Sequence, residues 1–164
     1  MKKVGIVMGS DSDLPVIQKA TDLLKKLEIP YEVHVYSAHR TPEQARQFAV
    51  SARENGFGVL LAAAGMAAHL AGAIAANTTL PVIGIPCKGP VLDGMDALLS
   101  TVQMPSGIPV ATVGINNGAN AALLAAEILS VEDSALAERL QQKRTQDAAA
   151  VLEKDAGIAA RLND

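Results

Sequence analysis

The chain is predicted to fold as an α/β domain in which a parallel sheet lies between two layers of helices. Three observations carry that expectation. Short apolar runs of strand length alternate five times with longer segments of helical periodicity. The spacings suit right-handed crossovers, with no linker that would divide the chain. Residues with chemical character gather in the loops that leave strands, whereas loops that enter strands, such as "EIP" and "ENGFG", are short and plain. At 164 residues the chain is long enough for one sizeable core, so residues 1–164 are read as a single domain.

Lys3 to Met8 is an apolar run broken by Gly9, and Leu14 to Glu28 carries Ile17, Ala20, Leu24 and Leu27 at helical spacing. Tyr31 to Ser37 alternates Val33 and Val35 with Glu32, His34 and Tyr36, the half-buried pattern of an edge strand. Thr41 to Gln44 has the form of a capping box with Pro42 as the first helical residue, and the helix it opens should run to about Glu54. Gly58 to Ala63 reads as a buried strand and a third helix is expected from about Ala67. Pro81 to Ile85, a loop with a helix, Pro109 to Val113 and the helix Ala119 to Leu129 complete the alternation. The sheet order 2-1-3-4-5 of flavodoxin-like folds suits such a chain.

Two of these helices, Ala67 to Ala76 and Ala119 to Leu129, are apolar nearly all round, which predicts burial on a second side and a homo-oligomer built through Ala-rich faces. Residues 131–154 form a polar segment of helical composition with Leu136, Leu140, Ala148 and Leu152 as contact positions. It is expected to pack on a neighbouring subunit, a solvent-exposed tail being the plain alternative.

The formal charge of -3 and only four aromatic residues argue against nucleic-acid binding. A lone Cys87 excludes an internal disulfide framework and fits a reducing compartment. The opening "MKKVGIVMGSDSD" lacks the apolar length of a secretory signal, and no window approaches a membrane span, so a cytoplasmic protein is expected. Three histidines and one cysteine have no zinc spacing, Asp11, Asp13 and Asp93 read as loop and cap residues, and no nucleophile elbow is present. A metal site is therefore not expected.

In a parallel sheet, ligands bind where the strands' carboxyl ends meet the helices. The loop "GSDSD" lacks the glycine spacing of a dinucleotide fingerprint and has no Walker lysine. Ser10 and Ser12 could cradle a phosphate with backbone N–H groups, and Asp13 would suit ribose hydroxyls; equally, Ser12 or Asp13 could simply cap the helix that follows. Arg40 could pair with the same anion, or be an ordinary solvated arginine. His39 beside it could work as a general acid or base, since imidazole exchanges protons near neutral pH. His34 lies mid-strand and has no expected role. His69 reads as a buried structural histidine or, with Gly65, as part of a wall against a flat ligand.

Taken together, "MGSDSD", "SAHRTP", "AGMAAHLAG", "VQMPSGIPVATV" and "NAALLAAEIL" resemble, in order and over roughly residues 3–152, the PurE family in its N5-carboxyaminoimidazole ribonucleotide mutase class. The resemblance implies a three-layer αβα sandwich of flavodoxin-like order, a homo-octamer, a phosphorylated aminoimidazole ribonucleotide as substrate, and neither a metal nor an organic cofactor. It implies His39 as the acid/base, Ser10, Ser12, Ser37 and Arg40 around the phosphate, Asp13 toward the ribose, and Ala64, Gly65 and His69 against the base and carboxylate. The family's direct carboxylase class is the nearest rival, and a non-enzymatic nucleotide-binding subunit a remote one. "AAAGMAAHLAG" departs from "AGAGGAAHLPG", placing Ala63 and Met66 where glycines are usual and Ala71 in place of proline. "GINNGANAA" departs from "IGKAGAANAA", losing a lysine.

Overall fold

Period-two burial organises the molecule. In β1 (Lys3–Met8), Val4, Ile6 and Met8 face one side of the sheet and Val7 the other; in β3 (Phe57–Gly65), Val59, Leu61 and Ala63 take the first side, Leu60 and Ala62 the second. Strands apolar on both faces need helices on both. The computed structural model, which describes residues 1–163, has that arrangement. Strands β2 (Tyr31–Val35), β1, β3, β4 (Val82–Cys87) and β5 (Ala111–Thr112) lie parallel in the order 2-1-3-4-5. The fold is therefore a flavodoxin-like αβα sandwich.

One layer holds α1 (Leu14–Lys26), α5 (Gly118–Ser130) and the start of α6 (Ser134–Leu162). The other holds α2 (Pro42–Ser51), α3 (Leu70–Ala75) and α4 (Met95–Val102). The close approach of α5 to α1 depends on Gly118, where a Cβ would fall 2.1 Å from the Val16 carbonyl oxygen.

Several expectations are corrected. The third helix starts at Leu70, because residues 66–69 form a loop entered through a left-handed Met66. The fifth strand keeps two residues, paired only along β4. Thr41 makes no capping bond to α2; its hydroxyl donates to the Ser37 carbonyl and accepts from the Ser37 N–H, closing the turn before the helix. Part of the apolar surface of α5 finds partners within the chain: Ala121, Ala122, Ala125 and Ala126 are buried among the sheet, α1 and α6, whereas Leu123, Leu124, Ile128 and Leu129 are only partly buried.

The C-terminal helix begins and ends later than residues 131–154. Asp133 caps it by accepting from the Leu136 N–H at 3.0 Å, Leu136 and Leu140 pack on the core, and Arg139 Nε donates to the Leu27 carbonyl. Its 29 residues span roughly 43 Å. Ala148 and Leu152, read as contact positions, are exposed.

Candidate active site

A cavity of about 560 Å³ opens at the carboxyl ends of β1 to β4. Its walls include all nine residues singled out from the sequence: Ser10, Ser12, Asp13, Ser37, His39, Arg40, Ala64, Gly65 and His69. Larger grooves of about 860 and 910 Å³ lie at the opposite sheet edge, and no histidine lines either one. Four strand-to-helix loops build the cavity and the fifth, residues 114–120, stays outside its wall. That fifth loop instead braces the fourth: Asn116 Oδ1 accepts from the Lys88 N–H at 2.9 Å, and the Asn116 N–H donates to the Pro86 carbonyl.

On one side, hydrogen bonds to backbone fix the polar groups. Ser10 Oγ accepts from the Ser12 N–H and donates to Asp11 Oδ1, which tightens a 3-10 turn over Asp11–Asp13. Ser12 and Asp13 make no side-chain cap to α1, so the capping alternative for them is set aside. Ser37 Oγ accepts from the N–H groups of His39 and Arg40 at 3.3 and 3.2 Å, which leaves its hydroxyl hydrogen to donate elsewhere. Arg40 donates from Nη2 to the Gly9 carbonyl at 2.9 Å, tying the second loop to the first. Its other guanidinium donors have no partner among the hydrogen bonds of the described residues, and Arg40 lines the same cavity as Ser10, Ser12 and Ser37, a set able to bind an anion.

His39 Nε2 lies 2.9 Å from His69 Nδ1, the rings nearly perpendicular at 88°. One nitrogen must carry the shared hydrogen while the other accepts it, so the contact ties the second loop to the third beside the cavity. His69 is exposed at the end of the third loop, which overturns its reading as a buried structural residue. Sequence spacing held no sign of the contact, which joins residues 30 positions apart. His34 stacks on Tyr36 and packs edge-on to Phe48, away from the cavity.

The other side is built from main chain. Ala64 and Gly65 end β3, and Met66 follows with φ of +56°, a left-handed conformation that costs a non-glycine residue about 1–2 kcal/mol. Lys88, Gly89 and Pro90 complete this wall, a contribution sequence reading missed. A loop lysine has no periodic signal; only the register that sets Cys87 beside Gly65 brings it there.

Asp13 is 8% exposed, and burial pushes its carboxyl above the usual range, opposed by a hydrogen bond with the Cys87 thiol. Burial and the neighbouring Asp13 push that thiol up to about 12, so Cys87 stays protonated and is a poor nucleophile. Among the described residues, no group of three His, Cys, Asp or Glu side chains is placed to hold a metal ion, and no helix is long and apolar enough to cross a membrane.

The family model for AIR carboxylase matches residues 3–150. The N5-carboxyaminoimidazole ribonucleotide mutase of Pyrococcus abyssi is 56% identical over 144 residues, which are 88% of this chain and 83% of that protein. The phosphoribosylaminoimidazole carboxylase of Saccharomyces cerevisiae is 55% identical over 139 residues, 85% of this chain but 24% of that protein. A crystal structure of a Treponema denticola PurE2 variant matches with a TM-score of 0.85 at 29% identity, covering 96% of this chain and 98% of that one.

Proposed function

This chain belongs to the AIR carboxylase family, and we infer that it acts as an N5-carboxyaminoimidazole ribonucleotide mutase, an isomerase of purine biosynthesis. The reaction moves a carboxylate from the exocyclic nitrogen of 5-(carboxyamino)imidazole ribonucleotide to ring carbon C4. The observation that carries this reading is the hydrogen-bonded His39–His69 pair lining one cavity with Ser10, Ser37 and Arg40. An anion anchored by the serines and Arg40 would hold its ring in the same cavity as the acid/base.

In this reading Ser10, Ser12, Ser37 and Arg40 hold the phosphate, Asp13 the ribose hydroxyls, and Ala64 with Gly65 the flat ring. His39 protonates the exocyclic nitrogen as the carbamate N–C bond breaks, the bonding pair stays on nitrogen, and CO2 is released. The enamine-like C4 attacks CO2, the C–C bond forms, and His39 takes the C4 proton. The proton lost in the first half returns in the second, so the cycle closes with His39 restored. His69 holds the imidazole in place and offers a second ring to share the proton.

Homo-octameric assembly fits the apolar side chains left exposed: Met95, Leu99 and Val102 on one stripe of α4, and Val151, Leu152, Ile158 and Leu162 on outer α6. The outer part of α6, within the single domain of residues 1–164, would then pack on a neighbouring subunit. A cytoplasmic location suits the free Cys87 thiol.

Purified protein given the carboxyamino substrate, with no ATP or added metal, should form the C4-carboxylate rapidly and should be slow with aminoimidazole ribonucleotide plus bicarbonate. The reverse preference would support direct carboxylation, the activity in the name of the S. cerevisiae relative. His39→Asn should bind substrate yet lose at least about a hundredfold in rate. An unchanged rate removes His39 from the mechanism, and ligand binding without turnover in the wild type indicates a nucleotide-binding subunit.

A further inference from the structure

Among the residues lining the cavity there are two permanent cations, Arg40 and Lys88, and one carboxylate, Asp13. They stand apart: Arg40 belongs to the serine cluster, whereas Lys88 lies with Gly89 and Pro90 beside Met66, on the wall that faces the ring. The substrate assigned above carries two separated anionic groups, a phosphate and a carboxylate. We propose that Lys88 is a specificity residue that pairs with the substrate's carboxylate, while Arg40 serves the phosphate; the proposal rests on the mutase reading.

The root of Lys88 is rigid and its head is free to pivot. Its N–H is held by Asn116 Oδ1 at 2.9 Å, directly after the last residue of β4. Gly94 packs against it, since a Cβ on Gly94 would lie 3.2 Å from the Lys88 Cα and 2.7 Å from Ile115 Cγ2. The ammonium, in contrast, makes one ion pair, 2.9 Å to Asp93 on the same loop, with the side chains 59% and 81% exposed. Exposed pairs of this kind are weak and exchange readily for a better-placed anion. Ile115 stands where the pattern "IGKAGAANAA" has its lysine, so this chain lacks a cation in the fifth loop and carries one on the adjoining fourth.

Titration calorimetry on intact wild type and Lys88→Met, with the C4-carboxylated ribonucleotide and with aminoimidazole ribonucleotide lacking the carboxylate, separates the two anionic groups. The variant should bind the carboxylated ligand about tenfold more weakly and the uncarboxylated one unchanged, with KM for the carboxyamino substrate rising to match and Lys88→Arg restoring part of the loss. Asp93→Asn, which frees the ammonium, should not weaken the carboxylated ligand. Equal weakening of both ligands would assign Lys88 to the phosphate, and no weakening would leave it a surface lysine; either result overturns the proposal. A wild type that fails to turn over the carboxyamino substrate would instead overturn the mutase reading on which it rests.

Discussion

The two sides of the cavity are built by opposite means. The side formed by residues 9–13 and 37–41 is a set of polar side chains, of which Ser10, Ser37, Arg40 and Thr41 are fixed by hydrogen bonds to nearby main chain. The side formed by residues 64–66 and 88–90 presents mainly backbone and small residues, with Lys88 as its one charged side chain, left-handed Met66 and, behind it, left-handed Asp93 and Asn116. A charged, invariant group such as phosphate is best met by side chains locked beforehand, because no ordering cost remains at binding. A reacting ring needs close walls and little competing polarity, and main chain next to alanine and glycine supplies that.

Arg40→Leu attacks the polar side and should have the largest effect of the three changes considered. It removes charge-assisted hydrogen bonds of about 1.5–3 kcal/mol, so KM should rise about 10- to 100-fold. With Arg40 as the proposed phosphate partner, its contact would be equal in ground and transition states, so kcat should change far less. Steady-state kinetics would separate the two, and a loss confined to kcat would refute the division of labour.

Asp13→Asn tests the seam between the sides. Burial raises the Asp13 carboxyl above its ordinary 3.8, so the folded state holds the proton more tightly than the unfolded state. Below pH 3.8 both states are neutral there; as pH rises the unfolded chain ionises first, and stability falls until the folded group ionises too. The ionised, buried group is therefore a cost at neutral pH. Asp13→Asn should melt about 2–4 °C above wild type at pH 7, with the gap closing in strong acid, while substrate binding weakens. A lower melting temperature at pH 7 would show that the carboxylate stabilises the loop.

Met66→Gly probes the backbone side and should act least. Relief of the left-handed strain outweighs the added chain entropy of glycine by about 1 kcal/mol or less, a rise of about 2 °C in Tm. A comparable fall in Tm would mean that the contact of Met66 with Gly89 matters more than its dihedral.

The polar side was legible from residue types. Serine, aspartate and arginine directly after a strand mark the loops that line the cavity, and the bonds that fix those loops are mostly local, such as Ser37 to His39 and Arg40. The misreadings share another cause. Thr41 looked like a helix cap because the pattern allows it, but its hydroxyl closes a turn on Ser37. His69 looked buried because its neighbours are apolar, yet Ala68 and Leu70 are buried and His69 points outward. The apolar circumference of α5 suggested a second copy, and α6 of the same chain covers part of it, with Leu123, Leu124, Ile128 and Leu129 left partly buried.

Alternation of strand and helix, the edge at which chemistry gathers, and the residues able to bind an anion or move a proton were all written in local pattern, because periodicity and loop composition act over a few residues. Three features needed the folded chain: the meeting of His39 with His69, the left-handed turn at Met66, and the arrival of Lys88 on the wall opposite Arg40. Each depends on the register of β1, β3 and β4, and register is set by the packing of both sheet faces at once.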